Sequence, residues 1–217
     1  MTGEDAAIVA ILLRGLATTL ELATAVLPLG MVGGTLYAAA ACYSGPLGSL
    51  VARQLLFLAR GIPLLMQAFA VFYVLPLFGP RLDAFTSAVL ALAPFASVTI
   101  GEVLRGGLTV VASGQTEAAR ALGLSPLRTF QLVVFPQALR IVLGPLVGQI
   151  VFLVKATSVI SLLGVPELML AAREVIERNL QGMKVMALVW LLYTAACLPL
   201  SVLGRRLERS LAFRAGS

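Results

Sequence analysis

Residues 117–136 read EAARALGLSPLRTFQLVVFP. Glu117 to Leu122 are good helix formers. Gly123 is where that helix stops, because glycine enters the left-handed conformation without strain. Ser125 then caps a second helix, with Pro126 at its first position. Phe135-Pro136 is expected to end the unit. The stretch predicts two short helices held at an angle, in a polar region of about 113–131 within an otherwise apolar chain. Such a pair between membrane segments is a docking surface.

The apolar background sets the class. The 217 residues are 59% hydrophobic and 12% charged, with mean hydropathy +0.99. Soluble domains carry about a quarter charged residues, so the composition predicts an all-α integral membrane protein. The net charge of +6 is spread along the chain and forms no concentrated basic face, so nucleic acid is not an expected partner. It fits orientation in a lipid membrane instead. Cys42 and Cys197 lie far apart in apolar segments, and histidine is absent. A disulfide framework and a zinc or haem centre are therefore not expected. Glu4 and Asp5 near the start, with no basic leader, predict that the first apolar segment stays as an anchor.

Five apolar segments punctuate the chain, at about 16–43, 50–77, 84–104, 132–154 and 183–203, each near the roughly 20 residues a crossing needs. Gly30, Gly33 and Gly34 make a close-packing face in the first. Gly61-Ile62-Pro63 kinks or restarts the second. Pro76 to Asp83 is a turn, and Arg105-Gly106-Gly107 closes the third segment. Thr157 to Gln181 is mixed and predicts a short interfacial or re-entrant helix.

Five crossings put the termini on opposite sides. Arg53, Arg60, Arg105, Arg120, Arg128, Arg140, Arg205, Arg206, Arg209 and Arg214 then share one side with few acids. Glu4, Asp5, Glu21, Asp83, Glu167, Glu174 and Glu177 fall on the other. Basic residues gather on the cytoplasmic side, which predicts the N-terminus outside, with the Glu117 pair and the C-terminus in the cytoplasm.

The register Glu117-Ala118-Ala119, then Gly123, Val133, Phe135 and Pro136 resembles the EAA loop of permease subunits of binding-protein-dependent ABC importers. Val133 and Phe135 stand where the family prefers Ile or Leu. Arg60 to Gln67 (RGIPLLMQ) and Gly101 to Gly107 (GEVLRGG) resemble segments of the polar amino-acid permeases of the histidine, glutamine and arginine type, with Ile62 in place of threonine. Pro136 to Arg140 (PQALR) and Gly164 to Leu168 (GVPEL) extend the likeness, which covers about residues 15–206. It implies the type I importer (MetI-like) fold in a single permease domain, with five transmembrane helices and the coupling loop between the third and fourth. It also implies a multi-pass protein of the bacterial inner membrane.

The resemblance implies partners too: a dimeric cytoplasmic ABC ATPase that binds ATP and Mg, an extracytoplasmic solute-binding protein, and a second permease, identical or paralogous. This chain carries no phosphate-loop motif and is not expected to be an enzyme or to hold a cofactor or metal. Glu117, Ala118, Ala119, Leu122, Gly123 and Pro136 are the expected ATPase-coupling residues. Ala118, Ala119 and Leu122 would offer a small apolar face, with Glu117 for a basic partner.

Candidate path residues are Glu21, Gln67, Glu102, Lys155, Thr157 and Ser158. Glu102 and Arg105 share a helix face and read first as a local ion pair. Gln67 either lines the path or bonds a neighbouring helix. Lys155 ends a spanning segment, so it marks function or snorkels to the interface. Ala156 stands where many relatives carry aspartate, which does not favour carrying over a cationic substrate. Glu21 either compensates or lies at the outer interface.

Two other classes compete. An ion-coupled secondary amino-acid carrier should show paired intramembrane acids or internal repeats, and neither stands out. A membrane enzyme needs a catalytic cluster, which the lack of histidine disfavours.

Overall fold

The computed structural model describes residues 3–79, 81–111 and 113–212, so Pro80 of the expected turn and Arg214 of the basic end lie outside the described residues. Within them the chain is helical throughout, with no strand. Four helices are long and apolar enough to cross a bilayer: Glu4–Tyr43, Ala84–Val110, Pro126–Leu163 and Gly182–Ser210. A fifth crossing results if the bent pair Gly45–Gly61 and Leu64–Leu77 is counted as one.

Helix α1 (Gly3–Tyr43) starts a full three turns before the expected Leu16. Its early turns have a core of their own. Ile8 and Leu12 are buried with Leu168, Ala172, Val175, Val185 and Val189. Lys184 pairs with Asp5, and Gln181 donates to Glu4 at 3.4 Å.

Helix α2 (Gly45–Gly61) ends at Ile62, whose extended backbone (φ −104°, ψ 124°) is what a following proline enforces. The chain turns by 99° into α3 (Leu64–Phe69), which runs on through a π-helical turn and a 3₁₀ turn to Leu77. Pro63 has no N–H for the Ala59 carbonyl. The Gln67 side-chain amide supplies that bond at 3.2 Å and bonds the Ile62 carbonyl at 2.8 Å. Gln67 thus serves the hinge of its own segment, and of the two expected outcomes at Gly61-Ile62-Pro63, a kink or a restart, the helix restarts, turned by 99°.

Asp83 caps α4 (Ala84–Val110), accepting from Thr86 N at 3.0 Å and Thr86 Oγ1 at 2.6 Å. Those bonds hold its carboxyl below the usual range. Helix α4 does not close at Arg105-Gly106-Gly107 as expected; it runs to Val110. Gly107 is there for packing, since a Cβ on it would meet the Ala138 carbonyl at 3.2 Å. The α1–α4 crossing rests on the expected small face. A Cβ on Gly34 would come within 2.9 Å of Ile100 and 3.0 Å of the Gly101 nitrogen. Leu22, Val26, Leu92, Ile100, Val142 and Ile160 fill the main core around it.

Helix α5 (Ser113–Ala121) and the short α6 (Pro126–Thr129) form the predicted pair. The run does not end at Phe135-Pro136. It passes through a π-helical turn (Phe130–Val134) into α7 (Phe135–Ala156). Pro136 lies inside this continuous run, and the widened turn before it relieves the clash a proline makes with the preceding turn. A 3₁₀ segment (Thr157–Leu163), α8 (Leu168–Asn179) and α9 (Gly182–Ala212) complete the chain. Helix α8 packs against α1 and α9.

Candidate functional site

The α5–α6 pair owes its shape to local chemistry. Gly123 has φ +81°. Its N–H bonds the Arg120 carbonyl at 2.9 Å, and the Leu124 N–H bonds the Ala119 carbonyl at 3.2 Å. Those two bonds define a Schellman turn, which closes a helix around a left-handed residue. Ser125 caps α6, its hydroxyl accepting from Arg128 N at 3.4 Å. Glu117, Ala118 and Gly123 are exposed, and Leu122 and Leu127 are 83% and 65% exposed. Two bare leucines at the tip of a polar unit are an unpartnered apolar surface.

Ala119 does not belong to that surface. It is 4% exposed, because a Schellman turn folds the residue after the glycine back over the last helical turn. The outward apolar face is Ala118, Leu122 and Leu127, the last of which was not anticipated. Beneath the pair lies a cavity of about 610 Å³, with Tyr43, Leu108, Arg120 and Phe130 among its walls. Tyr43 meets Phe130 edge-on at 6.1 Å, which ties the end of α1 to the start of the α6–α7 run.

The six candidate path residues are not brought together. Glu21 is exposed on α1, and Gln67 holds the α2–α3 hinge. Glu102 makes a bidentate pair with Arg105, at 2.8 and 3.0 Å, and accepts the Tyr37 hydroxyl at 2.6 Å. This is the local ion pair, anchored to α1. Lys155 lies in a furrow between α7 and α9 with Ser201, Arg205 and Glu208. Thr157 is fully buried, its hydroxyl donating to the Val154 carbonyl at 2.8 Å. It faces no open space and is withdrawn from the path. Ser158 lines a cleft of about 580 Å³ between the 3₁₀ segment, α8 and α9, together with Ser161, Met169, Arg173, Glu177 and Met186.

Sequence reasoning missed one constellation. Glu167, outside the apolar spans, is 0% exposed. It caps α8, accepting from Leu170 N at 2.8 Å. Its other oxygen accepts from Tyr193 at 3.1 Å and Thr19 at 3.4 Å. Thr19 also accepts the Leu168 N–H at 3.2 Å. Burial pushes the Glu167 carboxyl above its usual value, against the opposing pull of the Met169 and Leu170 N–H groups and the two hydroxyls. The sequence signal was there: an acid directly before an apolar helical run is a cap position.

An all-helical bundle of four to five apolar spans, with a polar helix pair emerging between two of them, is the architecture of a multi-pass membrane protein. The chain belongs to the family of binding-protein-dependent transport system inner membrane components, whose model matches residues 27–214. It is 34% identical over 201 residues to the glutamine transport system permease protein GlnP of Escherichia coli (strain K12), covering 92% of each chain. It is 35% identical over 158 residues to the L-cystine transport system permease protein TcyB of Bacillus subtilis (strain 168), covering 70% of this chain and 68% of that one. Among solved structures, an amino acid ABC transporter crystallised with histidines superposes with a TM-score of 0.87 at 29% identity, over 93% of this chain and 94% of its counterpart. The inward-facing MetNI methionine transporter shares the fold, with a TM-score of 0.70 at 19% identity over 97% and 99%. The chain is thus a permease subunit of a binding-protein-dependent importer, and its curated relatives are permeases rather than enzymes.

Proposed function

We propose that this subunit forms the path for a polar amino acid and that α5–α6 couples it to ATP hydrolysis by a separate ABC ATPase, which holds the ATP and Mg. The observation that carries the coupling role is the exposed tip of Ala118, Leu122 and Leu127 on a unit continuous with the long α6–α7 run. A push on that tip moves a spanning helix as a lever. Glu117 faces a basic group on the ATPase, and Gly123 sets the angle. The names of the relatives support an amino-acid substrate.

In this reading the bent α2–α3 pair counts as one crossing. The α5–α6 end and the C-terminus are cytoplasmic, and α8 lies toward the outside, where a solute-binding protein delivers substrate. A second permease, identical or paralogous, completes the path. Among the earlier path candidates, Glu21, Lys155 and Ser158 remain open to solute. Buried Glu167 does not argue for an ion-coupled carrier, because both its oxygens are occupied in capping and bracing α8.

Vesicles reconstituted with this chain, its ATPase and its binding protein should accumulate L-glutamine or another polar amino acid only when ATP is supplied to the ATPase side. Uptake driven by an ion gradient without ATP or the ATPase would favour a secondary carrier.

A further inference from the structure

Arg173 and Glu177 stand one turn apart on α8, and both line the 580 Å³ cleft. No ion pair joins them to each other or to another described residue. Glu174 and Arg178, at the same spacing on the same helix, do pair at 4.0 Å. The difference follows from helix polarity. An acid preceding a base by four residues pairs well, and the reverse order pairs poorly. Arg173 precedes Glu177, so both charges are left available to the cleft.

The 3₁₀ segment contributes Ser161 to the same cleft, a residue only 6% exposed. Its hydroxyl bonds to no described residue. The neighbouring Ser158 hydroxyl is already spent on the Lys155 carbonyl at 2.8 Å. A hydroxyl that lines a cleft and has no protein partner is free to bond a ligand atom. The apolar part of the wall includes Met169 and Met186, whose thioethers adapt to side chains of different shape.

We infer that this cleft binds the main-chain zwitterion of an α-amino acid, with Arg173 holding the carboxylate, Glu177 the ammonium group and Ser161 a carboxylate oxygen. The guanidinium fork matches a carboxylate in two parallel bonds. The two charges of the ligand sit one carbon apart, and the Cβ atoms of residues one turn apart are about 6 Å from each other, so the ligand bridges the pair that helix polarity keeps open. The methionines take the variable side chain. The inference rests on the amino-acid reading above and assigns the residues that would read the substrate class.

The test uses the assembled permease–ATPase complex in lipid nanodiscs without the binding protein. Equilibrium binding of radiolabelled L-glutamine, L-arginine and L-glutamate is measured in turn. At least one should bind saturably. Arg173→Gln and Glu177→Gln should each weaken it about tenfold or more, the scale of a lost charged hydrogen bond. Glu174→Gln, outside the proposed site, should bind as wild type and keep wild-type basal ATPase activity. For glutamine, its decarboxylated analogue 4-aminobutanamide should not compete. Wild-type affinity in both cleft variants, or no binding of any of the three amino acids to the wild-type complex, overturns the inference. So does intact amino-acid binding in variants that lose stimulation by the binding protein, since the cleft is then a protein contact. If vesicles also import no amino acid, the amino-acid reading itself has failed; if import is normal, only the cleft assignment has.

Discussion

The Glu167 carboxylate accepts the Tyr193 hydroxyl at 3.1 Å across a separation of 26 residues, and the Thr19 hydroxyl meets the same oxygen. One buried acid thereby fastens α1, α8 and α9 together. No cation pairs with it among the described residues, and its charge is met by hydroxyls and by the N-terminal N–H groups of α8.

That arrangement predicts a pH dependence. The Glu167 carboxyl is raised above its ordinary value of 4.5 chiefly by burial. The folded state therefore binds the proton more tightly than the unfolded state. The contribution to stability is fully present below the ordinary value and is lost as pH rises through the raised one. Glu167→Gln keeps an acceptor for Leu170 N and removes the titration. The thermal midpoint of the wild type, minus that of the variant, should fall as pH rises above the ordinary value of 4.5. Parallel curves would show that Glu167 titrates as it does in water.

The hinge predicts a coupled pair. Gln67→Leu strips the Ala59 carbonyl of the donor that replaces the missing Pro63 N–H. It should cost about 1–3 kcal/mol, the penalty for an unsatisfied buried polar group. Pro63→Ala restores a backbone donor, so the Gln67→Leu cost should shrink in that background. A double-mutant cycle on the unfolding free energy reads the coupling. Strict additivity would show that the two groups do not share the carbonyl.

The α1–α4 crossing predicts a contrast between two glycines. Gly34→Ile places atoms where Ile100 and the Gly101 backbone already sit within about 3 Å of the added Cβ, and should destabilise by about 1–3 kcal/mol through overpacking. A Cβ on Gly148 meets nothing within 4 Å. Gly148→Ala should be neutral or stabilise by up to about 1 kcal/mol through helix propensity. Equal effects on the unfolding midpoint would contradict the packing account.

The Schellman turn predicts an uncoupled but folded protein. At φ +81° a β-branched side chain is strained by about 1–3 kcal/mol. Gly123→Val should change the angle of α5, lower ATP-driven uptake and weaken retention of the ATPase, while membrane insertion stays normal. Uptake and ATPase retention equal to wild type would remove Gly123 from the coupling role.

What could be read from sequence was what local chemistry controls. Gly123, Ser125 and Pro126 act within a few residues, so the helix pair was legible before any packing was known. The glycines of α1 were equally legible as a packing face. The misreadings came from residues whose role is set by distant partners. The start of α1 is held by Leu168 and Val185, which no local window contains. Gly107 looked like a helix stop and is a contact for α7. Pro136 looked like a terminus and sits within a continuous helical run, behind a π-helical turn that relieves it. Ala119 looked like part of an exposed face because burial by a Schellman turn depends on the backbone beyond the glycine. The Glu167 network and the cleft of Arg173 and Glu177 required the tertiary fold.

The central claim is that the tip of α5–α6 touches an ATPase and transmits its motion. The most direct test replaces Leu122 with cysteine in a chain whose Cys42 and Cys197 are changed to serine. It then measures disulfide cross-linking to cysteines placed on the surface of the co-expressed ATPase. The account predicts a cross-link to the ATPase that forms in intact membranes and blocks ATP-driven uptake until it is reduced. No cross-link at Leu122, with uptake intact, would contradict it.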